Sequence, residues 1–584
     1  MVPLRAIGCK RIRRRKVANE RTSRPEAWRT DGIRRQTAAV TTPSLVLRNG
    51  HVFDGHRHRR GHGVVVCDQR VVAVLAEELL REHTGPGVEV VDLAGGLVLP
   101  GFQDAHVHPV QGGVERNRCD LSALATREDY LAAVRDYAEQ QPDGGWVLGG
   151  GWSMPAFGPE GPSAEDLDAV VADRPVFLAN RDHHGAWVNS LALRLAGVGR
   201  DTPDPADGRL QRDAAGNPTG TLHEGAMTLL ERCVPATSDS EYDAGLAVAQ
   251  AYLHSLGVTA WQDAILGSYA GNGDPSGAYV RAVGAGTLTA RVRGALWWER
   301  DRGLEQVERL RERRGALTRG RLDAGSVKIM QDGVVENYTA AMSRPYLDGR
   351  GGRTDNRGLS FVDPDELATA VTRLDAHDFQ VHVHAIGDRA VREALDAFEA
   401  ARAANGPSSG RHHIAHLQVV SPADRARFAE LDATANIQAL WAVHDDAMTG
   451  MTLPFLDPEL AGWQYPFGSL ARAGVRLAAG SDWPVSTPDP LAAIHVAAHR
   501  VDRDDPRDPF LSAEALDLEQ AFAAYTSGSA YVNHQDDTGV LAPGMRADLA
   551  VLDRDPFLLG PDGPEGVAGA RVVATYVDGR RVWG

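Results

Sequence analysis

From residue 240 onward, the chain alternates between amphipathic helix patterns and short apolar strand patterns. Helix patterns cover 244–255, 304–314, 364–377 and 389–403. Apolar runs lie at 257–261, 326–330, 380–385, 412–419, 434–440 and 475–480. Repeated strand and helix units over this length are typical of a parallel sheet, either doubly wound or closed into a (β/α)8 barrel. We favour the barrel, because polar side chains follow strand after strand, which is where a barrel collects its active site.

The two chain ends have a different pattern, in which short strands are separated by glycine-rich turns. Because such strands occur near both ends, we predict a small β-sandwich domain built from 44–98 plus 536–584. The barrel domain then covers 99–535. Glycine and proline interrupt the rhythm over about 110–240, so we interpret that region as an insertion after the first barrel strand, covering one face of the barrel.

Charge is distributed unevenly along the chain. Residues 1–40 contain twelve Lys or Arg against three acidic residues, and the whole chain has a net charge of -16, which leaves -25 on the rest. We interpret 1–43 as a basic, disordered tail, because it combines high charge with few apolar residues for packing. The acidic body makes nucleic acid an unsuitable partner.

The expected compartment follows from signals that the sequence lacks. No apolar region follows the basic residues, as a secretory signal requires, and no run of 18 apolar residues could span a membrane. Four cysteines are too few and too scattered for a disulfide framework or a thiolate metal site. We therefore expect a cytoplasmic protein that acts on a small molecule, without nucleic-acid or membrane partners, as a monomer or a homodimer.

The segment 99–108, LPGFQDAHVH, ends a predicted buried strand with two histidines. Alternate strand residues share a side, so His106 and His108 project together. Neutral imidazole binds zinc and similar metals, and such a pair provides half of a four-ligand shell. By themselves, the two histidines could equally be ordinary polar residues at a strand end.

Four further histidines precede this segment, in turns that are rich in arginine: His51, His56, His58 and His62. They lack the regular spacing of metal ligands. We interpret them as solvated loop residues.

Lysine occurs only three times among 62 basic residues, and Lys328 is the one lysine outside the basic head. Its place on a predicted buried strand indicates chemistry that arginine cannot supply. Burial lowers the pKa of an ammonium group and frees a nucleophilic amine, whereas a guanidinium stays protonated. A free amine there could form a Schiff base, act as a base, or take up carbon dioxide to become a carbamate that bridges two metal ions. Chance retention of a single lysine is the alternative.

Three later strands add further metal-competent groups. His382 and His384 share one face of a strand, His416 ends another strand, and Asp482 follows a third. One such residue at a strand end means little. The ordered set of His-x-His, Lys, His, His and Asp, each on its own strand, is a strong signal for a metal centre.

The chain from about 44 to 584 resembles the amidohydrolase superfamily, in this ordered set and in the leading segment 99–108. The longer segments SVKIMQDG at 326–333, HAIGDRA at 384–390 and WVNS at 187–190 are similar to the branch that contains N-substituted formamide deformylases and related metal-dependent hydrolases. The resemblance implies a (β/α)8 barrel with a flanking β-sandwich. Residues 1–43 have no counterpart in this resemblance.

The resemblance also implies roles for the site residues. His106 and His108 would hold one ion, and His384 and His416 a second. A carboxylated Lys328 would bridge them, and Asp482 would serve as both ligand and catalytic base. We place His382 behind the ligands because it lies deeper on its strand, and expect the same of His412 and His413. With imidazole and carboxylate but no thiolate ligands, we expect one or two divalent ions, most simply zinc.

The expected reaction is hydrolysis of a carbon–nitrogen bond other than a peptide bond, in an amide, N-substituted formamide or related compound, by a metal-activated water. A carbamate or a cyclic amide is an alternative substrate. A non-catalytic metal-binding scaffold on the same fold is the alternative function.

Tryptophans at predicted strand ends and in the insertion suggest an aromatic wall for an apolar substituent. Our candidate substrate-contacting residues are Trp152, Trp187, Trp441 and Trp483. The alternative is that most of them belong to the core, where tryptophan is usually buried.

Overall fold

Eight parallel strands form the barrel that the sequence predicts, and they are hydrogen-bonded to each other in chain order. Nearly all their residues are buried, as expected for strands packed against helices outside and side chains inside. We label them β1 to β8: Phe102–Val107, Val258–Leu266, Arg291–Trp297, Leu322–Met330, Gln380–Ala385, His413–His416, Thr434–Ile437 and Leu477–Ala479.

The computed structural model describes residues 43–141, 145–158, 161–230, 232–269, 272–558 and 566–584. Apart from Pro43, the basic tail predicted at 1–43 lies outside the described residues. Within the described ranges, no helix combines the length and the apolar character needed to cross a membrane.

Hydrogen bonds join the carboxyl end of β1 to β7 and to the segment that follows β8. The Asn436 side-chain amide on β7 donates to the Ala105 carbonyl of β1 at 2.9 Å. The Asp482 N–H, just beyond β8, donates to the His106 carbonyl at 2.8 Å. These contacts nearly close the sheet and bring the residues that follow β1 and β8 to the same place.

Helices alternate with the barrel strands, and some of them begin at capping residues. Ser238 and Glu241 form a capping box, and Asp363 caps a helix whose first residue is Pro364. Such caps satisfy N–H groups that a helix start leaves unpaired. The barrel helices are Pro109–Arg116, Asp239–Ser255, Ser276–Ala285, Gln306–Leu317, Pro364–Asp375, Asp388–Asn405, Arg425–Glu430, Phe467–Arg472 and Pro490–His499. Other helices are Glu77–Leu80, Pro458–Ala461, Leu518–Ala523 and Ser529–Val532.

The insertion after β1 contains its own six-stranded sheet. In spatial order its strands are Gly208–Arg212, Pro218–Glu224, Gly185–Val188, Val176–Asn180, Val147–Trp152 and Cys119–Asp120. Its helices are Arg127–Gln140, Ala164–Asp168 and Ser190–Ala196. Trp152 and Trp187 belong to a buried cluster within it. The insertion therefore has a core of its own, beside the barrel core.

Strands from both chain ends form the β-sandwich. One sheet has the order Arg70–Ala76, His62–Cys67, Leu45–Arg48 and Glu89–Asp92. The other has the order Arg580–Trp583, Val572–Val577, Leu549–Leu552, Leu97–Pro100, His51–Phe53 and His58–Arg59. The C-terminal strand Leu549–Leu552 is antiparallel to Leu97–Pro100, and apolar side chains of both sheets share one core. The predicted fold class is confirmed.

Buried ion pairs connect the sandwich to the amino end of the barrel. Arg291, the first residue of β3, contacts both Asp548 and Asp578, and Arg321 also contacts Asp578. The side chains of Arg291 and both aspartates are at most 8% exposed. Because a buried charge is tolerated only when it is paired, this network holds the sandwich in one position on the barrel.

Candidate active site

His106, His108 and Asp482 meet at the carboxyl end of the barrel. Asp482 Oδ1 lies 3.0 Å from the Nε2 atoms of both histidines. One ligand atom from each residue lies within 4.8 Å of the other two, close enough for one metal ion. The main chain fixes this arrangement, because the His108 N–H donates to the Trp483 carbonyl at 2.8 Å.

Asp104 supports this group from below, a role that the sequence analysis did not identify. Its Oδ1 accepts the N–H groups of His106 and Ser481, at 3.0 and 3.1 Å, and its Oδ2 accepts the Ser481 hydroxyl at 2.6 Å. Burial raises the pKa of Asp104 to about 7. The sequence offered one signal for this role: Asp104 lies in the segment 99–108, two residues before His106 and therefore on the same side of the strand.

Lys328 lies on β4 beside these residues. Its Nζ is 3.5 Å from His106 Nε2, and its side chain is buried. Burial lowers the pKa of Lys328 to about 7, even though the nearby Asp482 carboxylate opposes the shift. A large fraction of such an amine is unprotonated at neutral pH, which is the form that can react with carbon dioxide.

His384 on β5 and His416 on β6 complete the group. Their ring centroids are 4.3 Å apart, and the His416 ring is 4.7 Å from that of His106. His416 Nδ1 lies 3.9 Å from Asp482 Oδ2 and has no hydrogen-bond partner among the described residues. His416 and Asp482 both have left-handed φ angles, of 80° and 57°, a conformation that non-glycine residues adopt at a cost and that clusters at functional sites.

The structure thus brings together all six predicted ligand residues, and all six line one cavity of about 640 Å³: His106, His108, Lys328, His384, His416 and Asp482. Burial, together with the nearby Lys328, lowers the pKa of His106 to about 3. Burial alone would raise the pKa of Asp482, but its contacts with His106 and His108 hold that pKa well below its usual value. Neutral imidazoles, an ionised carboxylate and the unpartnered His416 nitrogen are the donor set that a divalent cation needs, so the residues fit a metal.

His382 lies behind His106. Its Nε2 is 2.9 Å from His106 Nδ1, so the two imidazoles share a hydrogen bond on the side of His106 opposite Asp482. His413 lies deeper still, with its ring 4.0 Å from that of His382 and its Nε2 hydrogen-bonded to Gln262.

The expectation for His412 is wrong. Its Nε2 lies 3.0 Å from Asp375 Oδ1 on the helix Pro364–Asp375, and its ring stacks on Phe398. Neighbouring residues of a strand face opposite sides, so His413 points into the barrel and His412 points toward the surrounding helices.

The candidate tryptophans divide into two groups. Trp441 and Trp483 line the cavity, and the Trp441 ring stacks on His416 at 5.3 Å with an interplanar angle of 8°. The side chain of Trp152 is fully buried in the insertion core, where its Nε1 donates to the Leu178 carbonyl at 2.9 Å, although it also borders the cavity. Trp187 does not line it. It is fully buried in the insertion core, where it packs on Phe157 and its Nε1 donates to the Ser163 carbonyl at 2.7 Å. We therefore no longer include Trp187 among the residues proposed to contact substrate.

The insertion contributes an ion pair that the sequence analysis missed. His184 lines the cavity, and its Nδ1–H donates to Glu224 Oε2 at 2.8 Å. Burial alone would lower the pKa of His184, but the Glu224 carboxylate outweighs it and raises that pKa to about 9. Thr339 and Asn337 donate to the other oxygen of Glu224. His184 is therefore a cation at neutral pH, with its ring 6.2 Å from that of His384.

Comparison with known proteins places the chain in a family. The model of the amidohydrolase family matches residues 89–583. The chain is 31% identical to the putative amidohydrolase YtcJ of Bacillus subtilis (strain 168), over 86% of this chain and 92% of that protein. It is 28% identical to the N-substituted formamide deformylase of Arthrobacter pascens, over 90% and 95% of the two chains. The crystal structure of an uncharacterized metal-dependent hydrolase from Pyrococcus furiosus matches with a TM-score of 0.67 and 28% identity, covering 88% of this chain and 99% of that one. The chain therefore belongs to the amidohydrolase family, and its fold is that of a metal-dependent hydrolase.

Proposed function

We propose that this hydrolase cleaves carbon–nitrogen bonds other than peptide bonds, with N-substituted formamides and related amides as its substrate class. The observation that carries the proposal is the meeting of six metal-competent side chains, from five barrel strands, at the floor of one cavity. The similarity to an N-substituted formamide deformylase over 90% of the chain supports this substrate class.

The proposed metal ligands form two groups. His106, His108 and Asp482 would hold one divalent cation, and His384 with His416 would hold a second. Lys328, whose Nζ is 3.5 Å from His106 Nε2, would bridge both as a carbamate. A bound cation of this kind supplies an activated water and polarises the substrate carbonyl. Imidazole and carboxylate ligands without thiolate favour zinc.

Asp482 is the proposed proton carrier. Its carboxylate is ionised, and it lies at the floor of the cavity within 3.0 Å of two imidazoles. From there it accepts a proton from the attacking water and delivers it to the leaving nitrogen as the carbon–nitrogen bond breaks. The products are a carboxylic acid and an amine.

His184 is the proposed electrophilic residue of the cavity wall. Its Nδ1–H is occupied by Glu224, which leaves the Nε2–H free to donate to the carbonyl oxygen of the substrate. A fixed donor that carries positive charge stabilises the negative charge that develops on this oxygen during attack.

The cavity wall suits an apolar substituent on the substrate nitrogen. Trp441 and Trp483 line it together with methionines, including Met154, Met330 and Met448. A volume of about 640 Å³ is large enough for an aromatic or branched alkyl group in addition to the reacting amide.

The test combines metal analysis with a substrate panel. The purified protein should contain one or two divalent ions per chain, lose activity with a chelator and regain it with zinc. We expect hydrolysis of formamides with alkyl or arylalkyl N-substituents, measured by release of amine and formate. Asp482→Asn should reduce kcat by at least about a thousandfold, because it removes the proton carrier and a ligand at once.

Two results would overturn the proposal. A metal-loaded protein that turns over no amide, formamide, carbamate or cyclic amide would be a non-catalytic scaffold. Hydrolysis of carbamates or cyclic amides alone would show that the proposed substrate class is wrong.

A further inference from the structure

A second group of metal-competent side chains lies in the β-sandwich, outside the barrel cavity. It consists of His51, His58 and Asp555, and one ligand atom from each lies within 4.8 Å of the others. Asp555 Oδ2 is 2.7 Å from His58 Nε2 and 4.0 Å from His51 Nδ1. The ligand atoms of a tetrahedral zinc ion are about 3.3 Å apart, a value between these two distances.

The carboxylate of Asp555 is buried and has few basic neighbours among the described residues. Its side chain is only 1% exposed, and within the described residues the two imidazoles are the only basic groups within 4.0 Å of it. Its other oxygen accepts the Phe557 N–H at 3.0 Å. A buried carboxylate requires compensation of its charge, which a bound cation or a protonated imidazole can supply.

Both imidazoles are oriented by their surroundings. The His58 ring stacks on Phe557 at 4.7 Å with an interplanar angle of 13°. The Gly61 N–H donates to His51 Nδ1 at 2.9 Å, so this nitrogen is unprotonated, and a cation bound to it would replace the Gly61 N–H at its lone pair. The pKa of His51 is lowered, mainly by burial, with Asp555 opposing and His58 and Arg60 contributing.

We propose that His51, His58 and Asp555 form a structural site for a divalent transition-metal ion of the zinc class, separate from the site in the barrel. The two histidines lie on paired strands, His51–Phe53 and His58–Arg59, and the second of these is the edge of its sheet. This interpretation replaces the expectation that these two histidines are solvated loop residues.

The site would connect distant parts of the chain. Asp555 follows the strand Leu549–Leu552, which is separated from the edge strand by two others, Leu97–Pro100 and His51–Phe53. A cation held by all three residues therefore ties the N-terminal hairpin to the C-terminal segment and protects an exposed sheet edge. Metal binding of this kind adds directly to the stability of the folded state.

The test counts metal ions in the full-length protein. After removal of metal with a chelator, the wild type and the variants His58→Gln and Asp555→Asn are dialysed against Zn²⁺ at several concentrations. We expect each variant to bind one zinc equivalent fewer than the wild type, or to bind it with at least a tenfold higher dissociation constant. Hydrolase activity at saturating Zn²⁺ should be unchanged.

His51→Gln separates metal binding from the ion pair. It leaves the 2.7 Å contact between His58 and Asp555 in place, so a purely structural ion pair predicts no change in zinc content. The proposed site predicts loss of the same zinc equivalent and a smaller rise of Tm on addition of Zn²⁺.

His62→Gln is the matched control, because His62 begins the next strand, His62–Cys67, and its imidazole hydrogen-bonds to the Arg60 carbonyl. It should bind zinc as the wild type does. Equal zinc content in the wild type, His51→Gln, His58→Gln and Asp555→Asn at every concentration would overturn the proposal.

Discussion

Glu224 Oε2 lies 2.8 Å from His184 Nδ1, and through this ion pair the insertion places a charged imidazole in the wall of the barrel cavity. The carboxylate raises the pKa of His184 to about 9 against the opposing effect of burial. The insertion is therefore part of the candidate active site.

Glu224→Gln tests this relationship. Without this carboxylate, only the weaker attraction of Asp182 and Asp482 opposes burial, so the pKa of His184 should fall and a much smaller fraction of the imidazole should be protonated at pH 8. We expect kcat/KM at pH 8 to fall about tenfold to a hundredfold, with a smaller loss at pH 6. In His184→Gln the loss should be similar at both values. A pH profile of Glu224→Gln that parallels the wild type would contradict this role.

Lys328 provides the test of the proposed carbamate bridge. Arginine cannot take up carbon dioxide, so Lys328→Arg should lose metal and at least about a hundredfold in kcat/KM despite its positive charge. Lys328→Ala should also fail, but added acetate or propionate should restore part of its activity by filling the space between the ions. Metal content and turnover are measured with and without the carboxylate. A wild-type rate in the arginine variant would rule out the bridge.

His382 should act by orienting His106. Removal of the partner of a metal-binding histidine typically costs about tenfold to a hundredfold in metal affinity. His382→Phe keeps the volume and loses the hydrogen bond to His106 Nδ1, so its turnover should require about that much more zinc. His412→Phe is the control, because His412 faces the helices, and its zinc requirement should match that of the wild type. Equal zinc requirements in both variants would show that His382 does not position His106.

Arg291 should be important for stability. Arg291→Ala leaves Asp548 and Asp578 buried with fewer partners, so we expect the free energy of unfolding to fall by about 3–5 kcal/mol. Arg281→Ala removes a more exposed pair with Asp243 and should cost less than about 1 kcal/mol. Urea denaturation compares the two variants. Similar losses in both would contradict the role of the buried network.

Asp375 should contribute stability that disappears in acid. Burial alone would raise its pKa, but hydrogen bonds from His412, Ser408 and Asn405 lower it from 3.8 to about 2. Its contribution is therefore present above about pH 4 and is lost as the pH falls through about 2. After allowance for solvent exposure, Asp375→Asn should cost about 1 kcal/mol at pH 7 and progressively less below pH 4, measured by urea denaturation. If the free energies of unfolding of the wild type and Asp375→Asn differed by the same amount from pH 2 to pH 7, the proposed contribution of the Asp375 carboxylate would be contradicted.

The sequence predicts the barrel part of the candidate site well, because a parallel barrel brings the carboxyl ends of all its strands to one rim. His106, Lys328, His384 and His416 are distant in sequence, but each lies at or near the carboxyl end of a parallel strand. Those ends meet at one rim, so strand order alone predicts that the side chains converge. Their roles as ligands stay a prediction.

Side-chain direction was harder to predict than strand position. His412 and His413 are adjacent, yet one contacts the helix layer and the other the barrel interior, and a shift of one residue in the strand reverses them. Trp187 and Trp441 are both apolar and aromatic, and only packing distinguishes a core residue from one that lines a cavity.

By itself, the sequence determined the fold class, the sandwich built from both chain ends and the approach of the strand-end residues. The periodicity of each segment identifies it as a helix or a strand, and in a parallel barrel the order of the strands along the chain then fixes where their ends lie. Only the tertiary structure decided the contacts between elements with no fixed spacing. Glu224 reaches His184 across antiparallel strands of the insertion, and Asp555 reaches His58 from the opposite end of the chain. Such contacts depend on which distant strands lie together in a sheet, and no periodic pattern in the sequence records that order.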